Sequence, residues 1–440
     1  MATASHIELN PASAGVYHAP EITSESGKVA SQLLQENHDR YHMYFNPSGF
    51  HNHIAHHLLT IYALGATPGE LNEAFDHNKG YQRPLPAVQD RIVEDMTDRE
   101  KFKQYLGKER YFHDYADYFR KDIDEKGWEA VLNEHLFAGD EHAERLLTRL
   151  YAGFLHPIIH LGFGVEFKQP AIIVEALAQT ATHDNWIAPF LLTAEEKART
   201  STKKSKSLVQ LIHEAQKNPK LRSSAHWDDG NKIRDGVLVR APDEMLELAS
   251  QWTVKPEELK QKTAEMIGAS IYFTGAAQHP PKKVKFDFYY MHCVNSSIFF
   301  STLIKEPWLS TENKCRILEW KGRIDLALYV SRACPELLLD EIKNYKPKNP
   351  EDGWAGIVRR VDALPDDGHA SKLVRAIAHG EQACKPYEGE ADDVFPLKGN
   401  MWELLGHMAI DSVEGSREDS WVRSAGFEQA WQNVPERAKL

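Results

Sequence analysis

Residues 286–300, Phe-Asp-Phe-Tyr-Tyr-Met-His-Cys-Val-Asn-Ser-Ser-Ile-Phe-Phe, are apolar nearly all round when wound at about 100° per residue. A helix without a polar face belongs in an interior, so this segment demands a surround of other elements and places His292 inside the protein. The rest of the chain supplies helices for that surround. No run alternates apolar and polar residues as a sheet would require, and no unit repeats with a period of about 20–50 residues. No apolar run reaches the roughly 20 residues of a membrane span. The expectation is an all-α fold: a single large helical domain over 27–440, with a metal site between buried helices, preceded by a flexible arm over 1–26 that is rich in Ala, Ser, Pro and Thr.

Turn and capping residues punctuate this pattern. A helix beginning near Gly27 breaks at Asn46-Pro47-Ser48-Gly49. Thr67-Pro68-Gly69-Glu70 predicts a capping box with proline at the first helical position, and Thr97-Asp98-Arg99-Glu100 a second box. Pro157 starts or kinks a helix, and Pro170 opens one that runs to His183. The net charge of −12 argues against a nucleic-acid binder, and the eight Lys/Arg of 197–222 read as a solvated face. Cys293, Cys315, Cys334 and Cys384 lie far apart, which suits a reduced compartment and neither a disulfide scaffold nor a zinc ribbon. The first ten residues lack a secretory signal, so a cytoplasmic location is expected. The ending Ala438-Lys439-Leu440 resembles a peroxisomal address.

The chemistry concentrates on histidine. Phe50-His-Asn-His-Ile-Ala-His-His-Leu-Leu59 holds four imidazoles within seven residues. Drawn as one helix from Phe50, it puts Phe50, Ile54, Ile61 and Leu64 on an apolar stripe with His57 inside it and His53 on its edge, while His51 and His56 point to the flanks. Two imidazoles four residues apart can share a metal. His156 and His160 repeat that spacing around Pro157, and His292 adds a fifth candidate. Any one pair is equally explained by hydrogen-bonded core histidines; three segments delivering imidazole inward favour a centre for Fe, Zn, Cu or Ni. Lys372 borders an apolar edge made by Leu373, Ala376 and Ile377, where a lysine ordinarily packs its stem and sends its amine to water. There is no nucleotide-binding glycine loop, no G-x-S-x-G and no H-E-x-x-H. His183-Asp184 leaves open a metal phosphohydrolase of the HD type. A pigment-binding protein with structural histidines is the non-enzymatic alternative.

The motifs at 50–59, 156–167 and 291–297, with Asp367-Gly-His-Ala-Ser-Lys-Leu-Val-Arg-Ala376, Asp411-Ser-Val-Glu414 and Trp421-Val-Arg-Ser-Ala-Gly-Phe-Glu-Gln-Ala-Trp431, resemble the questin oxidase-like proteins over nearly the whole chain. The resemblance implies oxidative opening of an anthraquinone's central ring to a benzophenone in polyketide secondary metabolism. It implies either a mononuclear non-haem Fe²⁺ dioxygenase or a metal-free, NADPH-dependent Baeyer–Villiger-type oxidase. In the iron reading four histidines and a carboxylated lysine hold the metal. Lys372 then becomes the carbamate, and His53, His57, His156, His160 and His292 compete for four places, with His57, His292 and Lys372 closest to catalysis. Phe163, Tyr289 and Tyr290, beside Phe288, would stack the flat substrate. NADPH would act through a separate reductase.

Overall fold

The computed structural model describes residues 1–416 and 420–437. The tripeptide Ala438-Lys439-Leu440 lies outside the described residues. The fold is all-α. Two two-residue strands, Phe286–Asp287 and Trp421–Val422, pair in parallel; apart from these and isolated bridges, the regular elements of the described residues are helical. The chain divides into two compact units, 1–188 with 301–310 and 362–375, and 189–300 with 311–361 and 376–440. Each unit gathers three separate stretches, which is why no composition shift in the sequence marks a linker.

The first unit is built on three helices, Ile54–Leu64, His156–Glu166 and Pro170–Thr182, with Ser24–Arg40 and Phe112–Lys126 packed alongside. Every residue of the first two is buried. Each aliphatic side chain so placed contributes about 1.5–3 kcal/mol. Close packing of the second and third depends on Gly164, where a Cβ would stand 2.7 Å from Ile173 Cγ1. The capping box at Thr67 and Glu70 opens Pro68–Lys79 as expected. The second box does not form: Asp98 is the N-cap, accepting from the Glu100 and Lys101 amides, while Thr97 bonds back to the Glu94 carbonyl. The Asp98 carboxylate takes the Glu100 amide that the Thr97 hydroxyl was expected to take.

The segment read as an arm is tied down. Residues 1–23 carry one short 3-10 turn, a helix starts at Ser24, and Ile7 and Leu9 are buried. Ser, Pro and Thr here cap and turn the chain, and its anchor is polar. Glu166 Oε1 accepts from the Val16 amide at 2.8 Å and from Arg375 Nη2 at 2.7 Å, and Arg375 Nε donates to the Tyr17 carbonyl at 3.0 Å. Both charged side chains are almost fully buried. Breaking such a pair leaves an uncompensated charge, so Arg375→Met is expected to cost about 3–5 kcal/mol in urea unfolding, with part of the loss recovered in the double variant Arg375→Met/Glu166→Gln.

In the second unit, Thr311–Ser331 packs on Leu208–Lys217, Pro242–Ala249 and Leu259–Ala276. The apolar segment forms the Phe288–Leu303 helix, buried from Tyr290 to Phe300 as its pattern requires. Asp287 starts it: one carboxylate oxygen accepts from the Tyr289 and Tyr290 amides, the other from Ser424 and Ala425. All four cysteines are free and buried. No helix of the described residues is long and apolar enough to cross a membrane.

Candidate metal centre

The histidine helix begins later than its periodicity suggests. Buried Asn52 bonds to Asn37 and accepts from the Ile54 amide, so His53 is the N-cap and Phe50 to Asn52 precede the helix. The wheel drawn from Phe50 therefore fails at its start. Phe50 is 46% exposed, and His51 and His56, assigned to the flanks, are buried.

What this builds is a set of imidazoles from three segments of the first unit. His53 Nε2 and His156 Nε2 stand 2.9 Å apart. His156 Nδ1–H donates to the Gly153 carbonyl at 2.6 Å, and His53 Nδ1–H faces Asp367 Oδ2 at 3.3 Å. Both protons are thereby assigned to Nδ1, which leaves a lone pair on each facing Nε2. Two lone pairs cannot hydrogen-bond each other; a cation between them resolves the contact. His369 joins them. Its Nδ1–H donates to Asp367 Oδ1 at 2.5 Å, and one donor atom from each of His53, His156 and His369 lies within 4.8 Å of the others. An Nδ1–H anchored on a carbonyl or carboxylate is how ligating histidines are oriented. Three consecutive residues before His156, Gly153, Phe154 and Leu155, take left-handed φ values of 52°, 53° and 68°. That costs of order 1–3 kcal/mol at each non-glycine residue, and it sits where the His156 ring is aimed.

Lys372 is on the next turn of the helix that His369 opens, and it is 4% exposed. Burial pulls its ammonium down to about 8, against the upward pull of Asp367 and Asp366. Its charge helps burial hold His53 and His57 neutral, down to about 3 and about 4. Asp366 caps the helix by accepting from the Gly368 and Ala370 amides. Burial, then its neighbour Asp367, raises Asp366 above the usual carboxylate range; for Asp367 the His369 and His53 rings outweigh burial and hold it well below. Gly368 has φ +87°, and a Cβ there would lie 2.6 Å from His57 Cβ, so only glycine lets this turn cross His57. Neither ring nitrogen of His57 has a hydrogen-bond partner, Asp366 Oδ1 being 3.8 Å from its Nε2.

Each of the remaining expected residues has contacts of its own. His160, on the same helix as His156, turns away: its Nε2–H donates to Glu175 Oε2 at 2.7 Å and its Nδ1 stands 2.9 Å from His56 Nε2. Glu175 Oε1 in turn accepts from His38 at 2.7 Å. Burial would raise Glu175, but the bonds from His160 and His38 win and depress it from 4.5 to about 2. A depressed carboxylate stabilises the fold above its unfolded pKa, and the gain is lost as pH falls through the folded value. Glu175→Gln is expected to remove about 3 kcal/mol of stability at neutral pH and to flatten the loss between pH 4.5 and 2 in urea melts taken across that range.

His292 is buried in the second unit, its Nδ1 on the Phe288 carbonyl at 2.6 Å. Of the expected substrate-stacking residues, Phe163 is buried against His56 and Phe167. Tyr290 is fully buried with its hydroxyl on the Tyr329 carbonyl, which makes it core, and the Tyr289 ring carries the Arg332 guanidinium at 3.7 Å. His183 faces His51 at 2.8 Å while Asp184 is exposed, so the His-Asp pair of the phosphohydrolase alternative does not converge. Sequence reasoning missed His369, Asp366, Asp367 and Glu175. His369 had a signal: it precedes Lys372 by three residues, one face of one helix.

Residues 50–377 match the model of the questin oxidase-like family. A questin oxidase of Aspergillus terreus is 41% identical over 439 residues, 99% of this chain and 98% of the relative. The Baeyer–Villiger monooxygenase dmxR6 of a Cryptosporiopsis species is 41% identical over 437 residues, 97% of this chain and 98% of its own. The Baeyer–Villiger oxidase ptaJ of Pestalotiopsis fici is 40% identical over 438 residues, covering 98% and 99%.

Proposed function

The chain belongs to the questin oxidase-like family of oxidoreductases, and we propose on that footing that it uses O2 to cleave the central ring of an anthraquinone, taken up as the quinol, at a mononuclear non-haem iron. The convergence of His53 and His156 through lone pairs, with His369 beside them, carries the metal part of this reading. Relatives named questin oxidase and Baeyer–Villiger oxidase support the ring cleavage.

His53, His156 and His369 would hold Fe²⁺, with Lys372 as its carbamate supplying an anionic oxygen and His57 a further imidazole. Bound there, iron supplies the one-electron chemistry that lets O2 react with a closed-shell phenol. The protein's own part is to keep these imidazoles neutral. Burial does so for His53 and His57. Lysine reacts with CO2 only as the free amine, and a pKa of about 8 leaves about a tenth of Lys372 in that form at pH 7, against about one part in three thousand for an ordinary lysine. As the carbamate, Lys372 would carry a negative charge, to be balanced by the metal and no longer by Asp367. Asp366, raised toward neutrality, is placed to exchange a proton beside His57.

The stoichiometry closes. Quinol and O2 give a hydroxybenzophenone carboxylic acid: the bond from one oxygen-bearing ring carbon to its aryl neighbour breaks, and one oxygen atom ends in the carboxylate, the other in the new phenol. Two of the four electrons come from the quinol and two from the broken bond. The Baeyer–Villiger route would start from the quinone, consume NADPH, and take its second oxygen from water when the lactone opens. Isotopically labelled O2, with metal analysis of protein purified without added metal or chelator, separates the two. Near-stoichiometric iron and both labels in the product are expected; a metal-free active chain placing one label per product defeats the iron reading.

A further inference from the structure

Few large apolar side chains are exposed among the described residues, and two of them share a neighbour. Phe50 is 46% and Tyr81 42% exposed. Phe45 bridges them, with its ring 6.0 Å from Phe50 and 5.0 Å, edge-on, from Tyr81. Phe45 and Phe50 sit on a hydrogen-bonded turn. The Phe45 amide donates to the Phe50 carbonyl, the Asn52 amide to Met43, and Asn46 Oδ1 accepts from the Ser48 and Phe50 amides. A chain that spends this many hydrogen bonds to present phenylalanine to water is displaying it, since isolated folding would favour turning the ring inward.

The patch is continuous with the histidine cluster on both sides. Phe50 precedes His51, whose ring stacks on His156 at 4.0 Å. The Tyr81 hydroxyl donates to Asn78 Oδ1 at 2.6 Å, and Asn78 Nδ2 donates to the Asp366 carbonyl at 3.0 Å, at the start of the turn carrying His369 and Lys372. Asp367, which anchors His53 and His369, is 38% exposed at its side chain, so the cluster reaches solvent there.

We propose that Phe45, Phe50 and Tyr81 form the docking rim for the flat polycyclic phenol, stacking its outer rings while the ring to be opened faces the cluster. This rests on the ring-cleavage reading above for the identity of the ligand. Aromatic faces at fixed spacing suit a planar polycycle.

The test uses the full chain and a dihydroxyanthraquinone, titrated without reductant and followed by its visible absorbance. Phe50→Ala and Tyr81→Ala are each expected to weaken binding about three- to tenfold. In turnover the same variants should raise KM by a similar factor with kcat within about twofold, the mark of binding shared by ground and transition states. Phe50→Trp and Tyr81→Phe should restore the parent's affinity, because the ring and not the Asn78 hydrogen bond does the holding. Both substituted positions are at the surface, and matching unfolding curves will show that the fold is kept. Unchanged affinity in both alanine variants overturns the rim, as does Tyr81→Phe binding as weakly as Tyr81→Ala. A parent that shows the rim's dependence on Phe50 and Tyr81 yet never consumes O2 or opens the ring upholds the rim and defeats the ring-cleavage reading.

Discussion

Lys372→Met is expected to empty the centre of iron and abolish turnover while leaving the metal-free protein more stable than its parent near neutral pH. The sign follows from the pKa. Lysine in the unfolded chain titrates near 10.5, but burial brings Lys372 to about 8 in the fold, so the native state resists its proton. Stability of the parent should therefore rise between pH 8 and 10.5, and at pH 7 the buried ammonium costs about 3 kcal/mol. Methionine fills similar space without the charge and should recover about 2 kcal/mol of that. Iron content and turnover should each fall at least about 100-fold. A residue that merely packs its stem would behave oppositely, losing stability and sparing iron. Isotopically labelled bicarbonate supplies the direct readout: a carbamate resonance in the parent, absent from Lys372→Met. If the variant keeps its iron and its rate, the lysine has no place in the centre.

The second large effect discriminates among histidines. His53→Ala, His156→Ala and His369→Ala are each expected to lower iron affinity by at least about 100-fold, measured as metal retained after dialysis against a weak chelator. His160→Ala should retain iron. Both of its nitrogens are engaged, with Glu175 and toward His56, so its removal takes one of the two imidazole partners of a buried carboxylate and costs stability, about 2–3 kcal/mol. The reverse pattern, with iron lost on removing His160 and kept on removing His369, would move the centre from the Asp367 side of the cluster to the Glu175 side.

Much of this protein could be read without coordinates. Helical periodicity gave the all-α class, because period is a property of neighbouring residues and survives in any surround. The apolar circumference of 286–300 gave burial, and Thr67 with Glu70 gave a helix start, since a capping box is closed within four residues. The motifs gave the family. Lys372 was singled out against its ordinary tendency to snorkel, and the structure buries it.

Tertiary structure decided what distance along the chain cannot encode. His156 and His160 have the same spacing and the same helix, yet one meets His53 and the other Glu175. The helix starting at Ile54 instead of Phe50 turned His56 inward, because Asn37, from a distant segment, claimed Asn52. Asp367 became the anchor of His53 and His369 only when Gly368 let its turn cross His57. A ligand's type is written in one side chain, whereas which lone pair it presents is fixed by the partner of its other nitrogen, and that partner is supplied by the fold.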